Sequence, residues 1–394
     1  MSARYLWGIA AVYGAALLQG MTLVSFPASS AALRSLKGFT DAQYGAIFLP
    51  QVALAIVGSV LGGSLAARVG LRALLVAAMI ANAASQVALA GASQLDPEMA
   101  YVAILVGTGT MGLGFGLLGA PMNAYPPLFF PHRRDTALVA VHTLVGIGLM
   151  AGPLLFVTLQ SRGWWVVFPL LLLAACGAFA GLASGASLPL PKPAPVSTSS
   201  QRPPFASPVF WSFFAIAVIY AFAEGTFSNW IVVYLQDGRG LPAATAAAAL
   251  SAFWGALVAG RLLVSALVLR IAPHRVWIVL PALMAIAFLA LPHATTPVLA
   301  IGLFVLAGLA CSAFFPLSIA LVSERFPAQV PWVSSMMIAA LMSGVGIGSF
   351  AVGALRSRLS FDALYTWSAL YPVAVLGLAV ITVLRRPRPR MAMA

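Results

Sequence analysis

Seven of the eight acidic residues in this 394-residue chain, Asp41, Asp96, Glu98, Asp135, Asp237, Glu324 and Asp362, stand at the edges of long apolar runs, beside the prolines, glycines and cations that interrupt them. Glu224 alone lies deep inside such a run, about fifteen residues from its start. At about 1.5 Å per residue a helix carries it about 22 Å along its axis, near the midplane of an apolar layer about 30 Å thick. An ionised carboxylate is costly at that depth, so Glu224 reads as a proton site or a substrate ligand. The plainer alternative is a structural acid, protonated or paired with an arginine.

Spacing supplies its companions. Tyr220, Glu224 and Ser228 fall at i, i+4 and i+8 on one helical stripe, with Phe227 beside it, and the stripe is expected to face a cavity. Arg261 is the only cation inside an apolar run; it either reaches toward Glu224 or snorkels to the nearer surface. Trp254, seven residues earlier on the same face, could stack a sugar ring or that guanidinium, or simply pack. His142 titrates near neutrality as an unperturbed side chain, so Glu224, His142 and Arg261 are the candidate proton-coupling residues, with a packed histidine as the alternative for His142. Thr108, Met111 and Phe115 form one stripe, and Cys311, Phe314, Phe315 and Ser318 another; both are expected to line the cavity, though each residue alone also suits ordinary packing. Asn82 and Gln86 read as glue between helices.

No phosphate-binding Gly-Lys-Ser/Thr loop, metal-spaced His/Cys cluster or nucleophile elbow occurs. The sequence therefore predicts no enzyme, no cofactor and no metal site, and any work the protein does is expected to draw on a gradient.

The elements that must position these residues follow from composition. Hydrophobic residues make up 62% of the chain and charged residues 7%, with a mean hydropathy of +1.01, whereas a soluble domain carries roughly 25% charged residues. That excludes a soluble enzyme or nucleic-acid reader and leaves a multi-pass helical membrane protein. The net charge of +13 does not argue for a nucleic-acid partner. Twelve runs long enough to span a bilayer can be read, at about 5–28, 42–66, 72–92, 99–121, 136–160, 164–186, 209–235, 243–270, 275–293, 296–322, 332–356 and 362–384. Arg4, Arg68, Arg72, Arg133, Arg134, Lys192, Arg202, Arg270, Arg275, Arg325 and the four C-terminal arginines fall on one side, against Arg34, Lys37, Arg162, Arg239, Arg356 and Arg358 on the other. This asymmetry predicts cytoplasmic termini in a cell inner membrane. Cys176 and Cys311 lie in separate apolar runs and predict no disulfide.

The Pro- and Ser-rich stretch at 187–208 reads as a cytoplasmic linker between an N-terminal six-helix bundle, 1–186, and a C-terminal one, 209–394. The halves repeat. Pro127, Pro131 and Val145-Gly146-Ile147-Gly148 recur 200 residues later at Pro327, Pro331 and Val345-Gly346-Ile347-Gly348; Gly58 and Arg68 recur at Gly260 and Arg270, offset by 202; Gln19-Gly20 falls against Glu224-Gly225, offset by 205. A parallel repeat of this kind places a substrate site between the bundles near the midplane. Gln19, sharing a face with Thr22 and Phe26, is then expected on the wall opposite Glu224, where its amide suits a hydroxylated substrate; a hydrogen bond between helices is the alternative.

Gly63-Ser64-Leu65-Ala66-Ala67-Arg68-Val69-Gly70-Leu71-Arg72 is similar to the loop signature of the major facilitator superfamily, with Ala67 where the signature is acidic. His142-Thr143-Leu144-Val145-Gly146-Ile147-Gly148-Leu149-Met150-Ala151-Gly152-Pro153 and Ala223-Glu224-Gly225-Thr226-Phe227-Ser228-Asn229-Trp230 resemble segments of that superfamily's fucose-permease branch, which are proton symporters of fucose and galactose. The resemblance implies twelve transmembrane helices in the major facilitator fold. It also implies a monomeric secondary transporter in a lipid bilayer that moves a small sugar-like solute with protons by alternating access. A proton-driven exporter of amphipathic compounds is the alternative, and a non-transporting receptor on the same fold a more distant one.

Overall fold

A computed structural model describes residues 3–189 and 205–384, so most of the expected linker at 187–208, and the chain beyond 384, lie outside the described residues. Among the described residues twelve helices are long and apolar enough to cross a membrane: span 1 (Ala3–Lys37), span 2 (Asp41–Ala66), span 3 (Arg68–Gly91), span 4 (Pro97–Phe129), span 5 (Thr136–Gln160), span 6 (Val167–Gly185), span 7 (Pro208–Gly238), span 8 (Ala243–Leu267), span 9 (Pro273–His293), span 10 (Pro297–Arg325), span 11 (Trp332–Leu355) and span 12 (Phe361–Thr382). The sequence also marks where they begin. Asp96, Ser207, Thr296 and Ser360 each accept the backbone N–H three residues on, satisfying a donor that a helix start leaves free. Thr40 and Gln43 close a reciprocal capping box at the start of span 2.

Four spans are broken, and each break has the same local cause. The helix lapses at Val24, Ile47, Ala313 and Ala369, and proline follows three residues later in every case, at Pro27, Pro50, Pro316 and Pro372. Proline has no N–H to give the carbonyl four residues back and its ring crowds that carbonyl. The group left free is therefore the carbonyl just before each break: Leu23, Ala46, Ser312 and Ser368.

Spans 1–6 pack on one another, as do spans 7–12, and the two sets meet along spans 5 and 8, spans 2 and 11, and spans 1 and 7. The expected repeat is visible in these seams. Gly20 and Gly148 face each other in spans 1 and 5 so closely that a Cβ on Gly20 would stand 2.0 Å from the Val145 carbonyl. Their counterparts, Gly225 and Gly348, sit in the matching seam of spans 7 and 11, where a Cβ on Gly225 would meet the Val345 carbonyl at 3.0 Å. Small residues let these backbones touch. Both cysteines are buried and unpaired.

The bundles are pressed together at one end. Arg34 of span 1 pairs with Asp41 at 2.6 Å and, across the bundle boundary, with Asp237 of span 7. Asp41 in turn receives Arg356 of span 11 at 3.3 Å, whose guanidinium also lies 4.0 Å over the Phe361 ring. Beneath these charges Tyr44 donates to the Asn229 carbonyl at 2.7 Å, and Gly45 and Gly353 bring spans 2 and 11 so close that a Cβ on Gly353 would lie 2.4 Å from the Asp41 carbonyl. Toward the other end clefts separate the bundles. One lies between Ser59 and Val60 of span 2 and Ser335, Ile338 and Met342 of span 11. A second, of about 240 Å³, lies between spans 5 and 8. One end is closed and the other open.

Candidate functional site

The break in span 10 builds one wall of the site. Pro316 leaves the Ser312 carbonyl without its helical donor, and Arg261 of span 8 supplies one, its Nε donating to that oxygen at 3.0 Å. The adjacent Cys311 carbonyl accepts the Tyr220 hydroxyl of span 7 at 2.9 Å. Tyr220 is held flat by aromatic neighbours, 4.9 Å from Phe314 and 6.5 Å from Phe315 with the Phe315 plane inclined only 8°.

Glu224, one turn beyond Tyr220, is half-buried and has the Tyr220 hydroxyl as its side-chain partner. It forms no ion pair among the described residues. Arg261 lies near enough for its charge to act on both Glu224 and His142, yet its guanidinium is anchored to span 10, so the pairing with Glu224 weighed from the sequence is not made.

His142 faces Arg261 across the cleft between spans 5 and 8, which Thr143, Val258 and Ser265 also line. Its Nε2 lies 3.0 Å from Asn123 Oδ1 of span 4. Trp254, two turns above Arg261 on span 8, is half-buried and packed edge-on to Phe253 at 5.2 Å; its indole Nε1 is buried with no hydrogen-bond partner. Met150 of span 5 closes on this seam beside Gly255.

The structure does not bring every predicted residue to this cavity. Gln19 is turned into the N-terminal bundle, where Asn82 Nδ2 donates to its Oε1 at 2.9 Å while Gln19 Nε2 and Asn82 Oδ1 are left without partners; the bond between helices, which removes part of the cost of burying two amides, holds it away from Glu224. Thr22 is buried with it and donates to the Gln19 carbonyl. Phe26 packs beside Gly107 of span 4. Thr108, bonded to the Leu105 carbonyl, and Met111 are fully buried, and only Phe115 of that stripe is partly exposed. Phe227 sits in the core of the C-terminal bundle, stacked 3.9 Å from Phe288 and near Phe253 and Phe304, a setting that buries far more ring area than a cavity wall would. Ser228 is buried one turn beyond Glu224. Cys311 contributes through its backbone, its thiol being buried.

Sequence reasoning missed Asn123 and Ser312, and it left Asp41 and Asp237 as charges at helix ends. The available signal was Pro316, which marks Ser312 as a free carbonyl. For the acids it was the placing of Arg34, Asp41, Asp237 and Arg356 on one side of the membrane.

Two sets of six spans, pressed together at one end and parted toward the other by clefts, one of them lined by His142 and Arg261, have the architecture of a membrane transporter. Residues 9–302 match the family described as Major Facilitator Superfamily, and the chain belongs to that superfamily. No curated protein matches it significantly in sequence. Among solved structures it is similar to a D-xylose-proton symporter, at 16% identity and a TM-score of 0.78 over 97% of this chain and 98% of that one. It is similar also to the nucleoside transporter NupG in a mutant form, at 15% identity and a TM-score of 0.73 over 95% and 97%. At these identities the likeness is one of fold.

Proposed function

We propose that the protein carries a small polar organic solute across a bacterial-type inner membrane together with protons, and that Glu224 is the group that takes up and releases the proton. The observation that carries this is the setting of Glu224: a half-buried carboxyl in the middle of span 7 that forms no ion pair among the described residues, one turn from the Tyr220 hydroxyl and within reach of the charge of Arg261. An unpaired carboxyl at that depth is suited to loading a proton in one state and releasing it in another. A sugar-like solute is in keeping with the structural likeness to a D-xylose-proton symporter and a nucleoside transporter. The polar groups of Asn123, His142 and Arg261 favour such a solute over an amphipathic export substrate. With both termini cytoplasmic, the closed end faces the periplasm and the cavity opens inward.

The decisive experiment compares the parent protein with Glu224→Gln in proteoliposomes. The amide mimics the protonated carboxyl, so Glu224→Gln should keep solute exchange and lose accumulation driven by a pH gradient. Accumulation by Glu224→Gln equal to that of the parent removes Glu224 from the coupling.

A further inference from the structure

Arg261 is only half used. Nε is committed to the Ser312 carbonyl, while its two amino groups make no hydrogen bond and no ion pair among the described residues and belong to the wall of the 240 Å³ cleft. A guanidinium held by one edge with the other free is preset for a planar anion, because its remaining donors lie parallel, at the spacing of carboxylate oxygens. The surroundings suit such a ligand. His142 stands across the cleft, Thr143 and Ser265 offer hydroxyls, and no carboxylate lines it. Higher on the same helix face, the buried Trp254 Nε1 has no hydrogen-bond partner; it is a second free donor, about 10 Å from Arg261 along the axis at 1.5 Å per residue.

We infer that the transported solute is a hydroxylated carboxylic acid of sugar size, its carboxylate bound by the free amino groups of Arg261 and its far hydroxyls by Trp254. This rests on the transport reading above and narrows its substrate class from sugar-like solutes to their acids. Charge balance supports the narrowing. With a neutral sugar and a protonated Glu224, the loaded protein would have to carry the uncompensated charge of Arg261 through the transition, a costly state in an apolar bilayer. With an anion bound, the loaded cavity is neutral: protonated Glu224, cationic Arg261, anionic solute. The empty cavity is neutral as well, because ionised Glu224 then balances Arg261. Both forms that must cross are free of net charge, and the half-loaded forms are not.

The test is ligand-induced thermal stabilisation of the purified full-length protein, using D-gluconate against D-glucose, D-galactonate against D-galactose, and D-glucuronate against methyl glucoside. Ligand that binds only the folded state raises its melting temperature. At least one acid should do so by several degrees while its neutral partner does not. Arg261→Gln should bind that acid about tenfold to a hundredfold more weakly, the loss expected for a charge-assisted pair, and Arg261→Lys should recover part of it. Stabilisation by the neutral partners equal to that by the acids overturns the inference, as does stabilisation by none of the acids or undiminished binding to Arg261→Gln. Should Arg261→Gln fail to fold, the acid-against-neutral comparison in the parent decides alone. Gradient coupling plays no part in this binding assay. Its failure therefore leaves the proton role of Glu224 standing, and failure of the Glu224 experiment leaves the acid preference standing.

Discussion

Trp254→Phe keeps the ring that packs on Phe253 and deletes only the unpartnered N–H. If that donor serves the solute, affinity should fall about fivefold to tenfold, the equivalent of one hydrogen bond of about 1 kcal/mol, with the melting temperature of the empty protein unchanged. Equal titration curves for the two proteins would exclude the contact. Gln19 should behave in the opposite way. Its amide oxygen is taken by Asn82, so Asn82→Leu strands a buried polar group and should cost about 1–2 kcal/mol, whereas Gln19→Leu/Asn82→Leu should recover most of it; melting of the parent and the two variants tests this. The depth of Glu224 was legible in the sequence because a single acid inside an apolar run needs no partner to be noticed. It did not reveal the fate of Gln19, because helical spacing groups residues on a face without saying whether that face meets a cavity or a neighbouring helix. Arg261 was visible as a lone cation, but its acceptor lies fifty-one positions away and is free only because of a proline on another helix.

Twelve spans and their repeat could be read from runs of apolar residues alone, since length and hydropathy define a membrane helix. The four breaks were equally present in the sequence, as Pro27, Pro50, Pro316 and Pro372, but proline at the inner positions Pro121, Pro153 and Pro281 leaves the helix intact, so the residue type by itself does not announce an interruption. Tertiary partners decide which freed carbonyls are tolerated. At span 10 the partner is Arg261, which makes Pro316→Ala informative: alanine returns an N–H to the Ser312 carbonyl and competes with Nε for it. Transport should slow severalfold while thermal stability holds or rises, because the helix regains a bond as the arginine is released. Stability lost together with transport would mean that the proline serves packing alone.

Across the whole molecule, the closed end depends on charges drawn from four helix ends. Removing both cross-bundle pairs with Asp41→Asn and Asp237→Asn forfeits about 1 kcal/mol each at their partial exposure, a shift of roughly 25-fold toward opening. Spin labels at Ser35→Cys and Ser357→Cys should report a wider separation across that end, undisturbed by the buried Cys176 and Cys311; an unchanged distance would deny the pairs a role in closure. The neutral loaded and empty cavities carry a second expectation: uptake of an acid should respond to a pH difference across the vesicle and ignore a potassium diffusion potential, whereas a proton carried with a neutral sugar would respond to both. Mechanically, span 10 is two rods meeting at Ala313, and the pin through the joint is the arginine that faces the cargo. A carboxylate drawing on the free edge of that guanidinium loads the pin directly, so the arrival of cargo is felt first at the fulcrum.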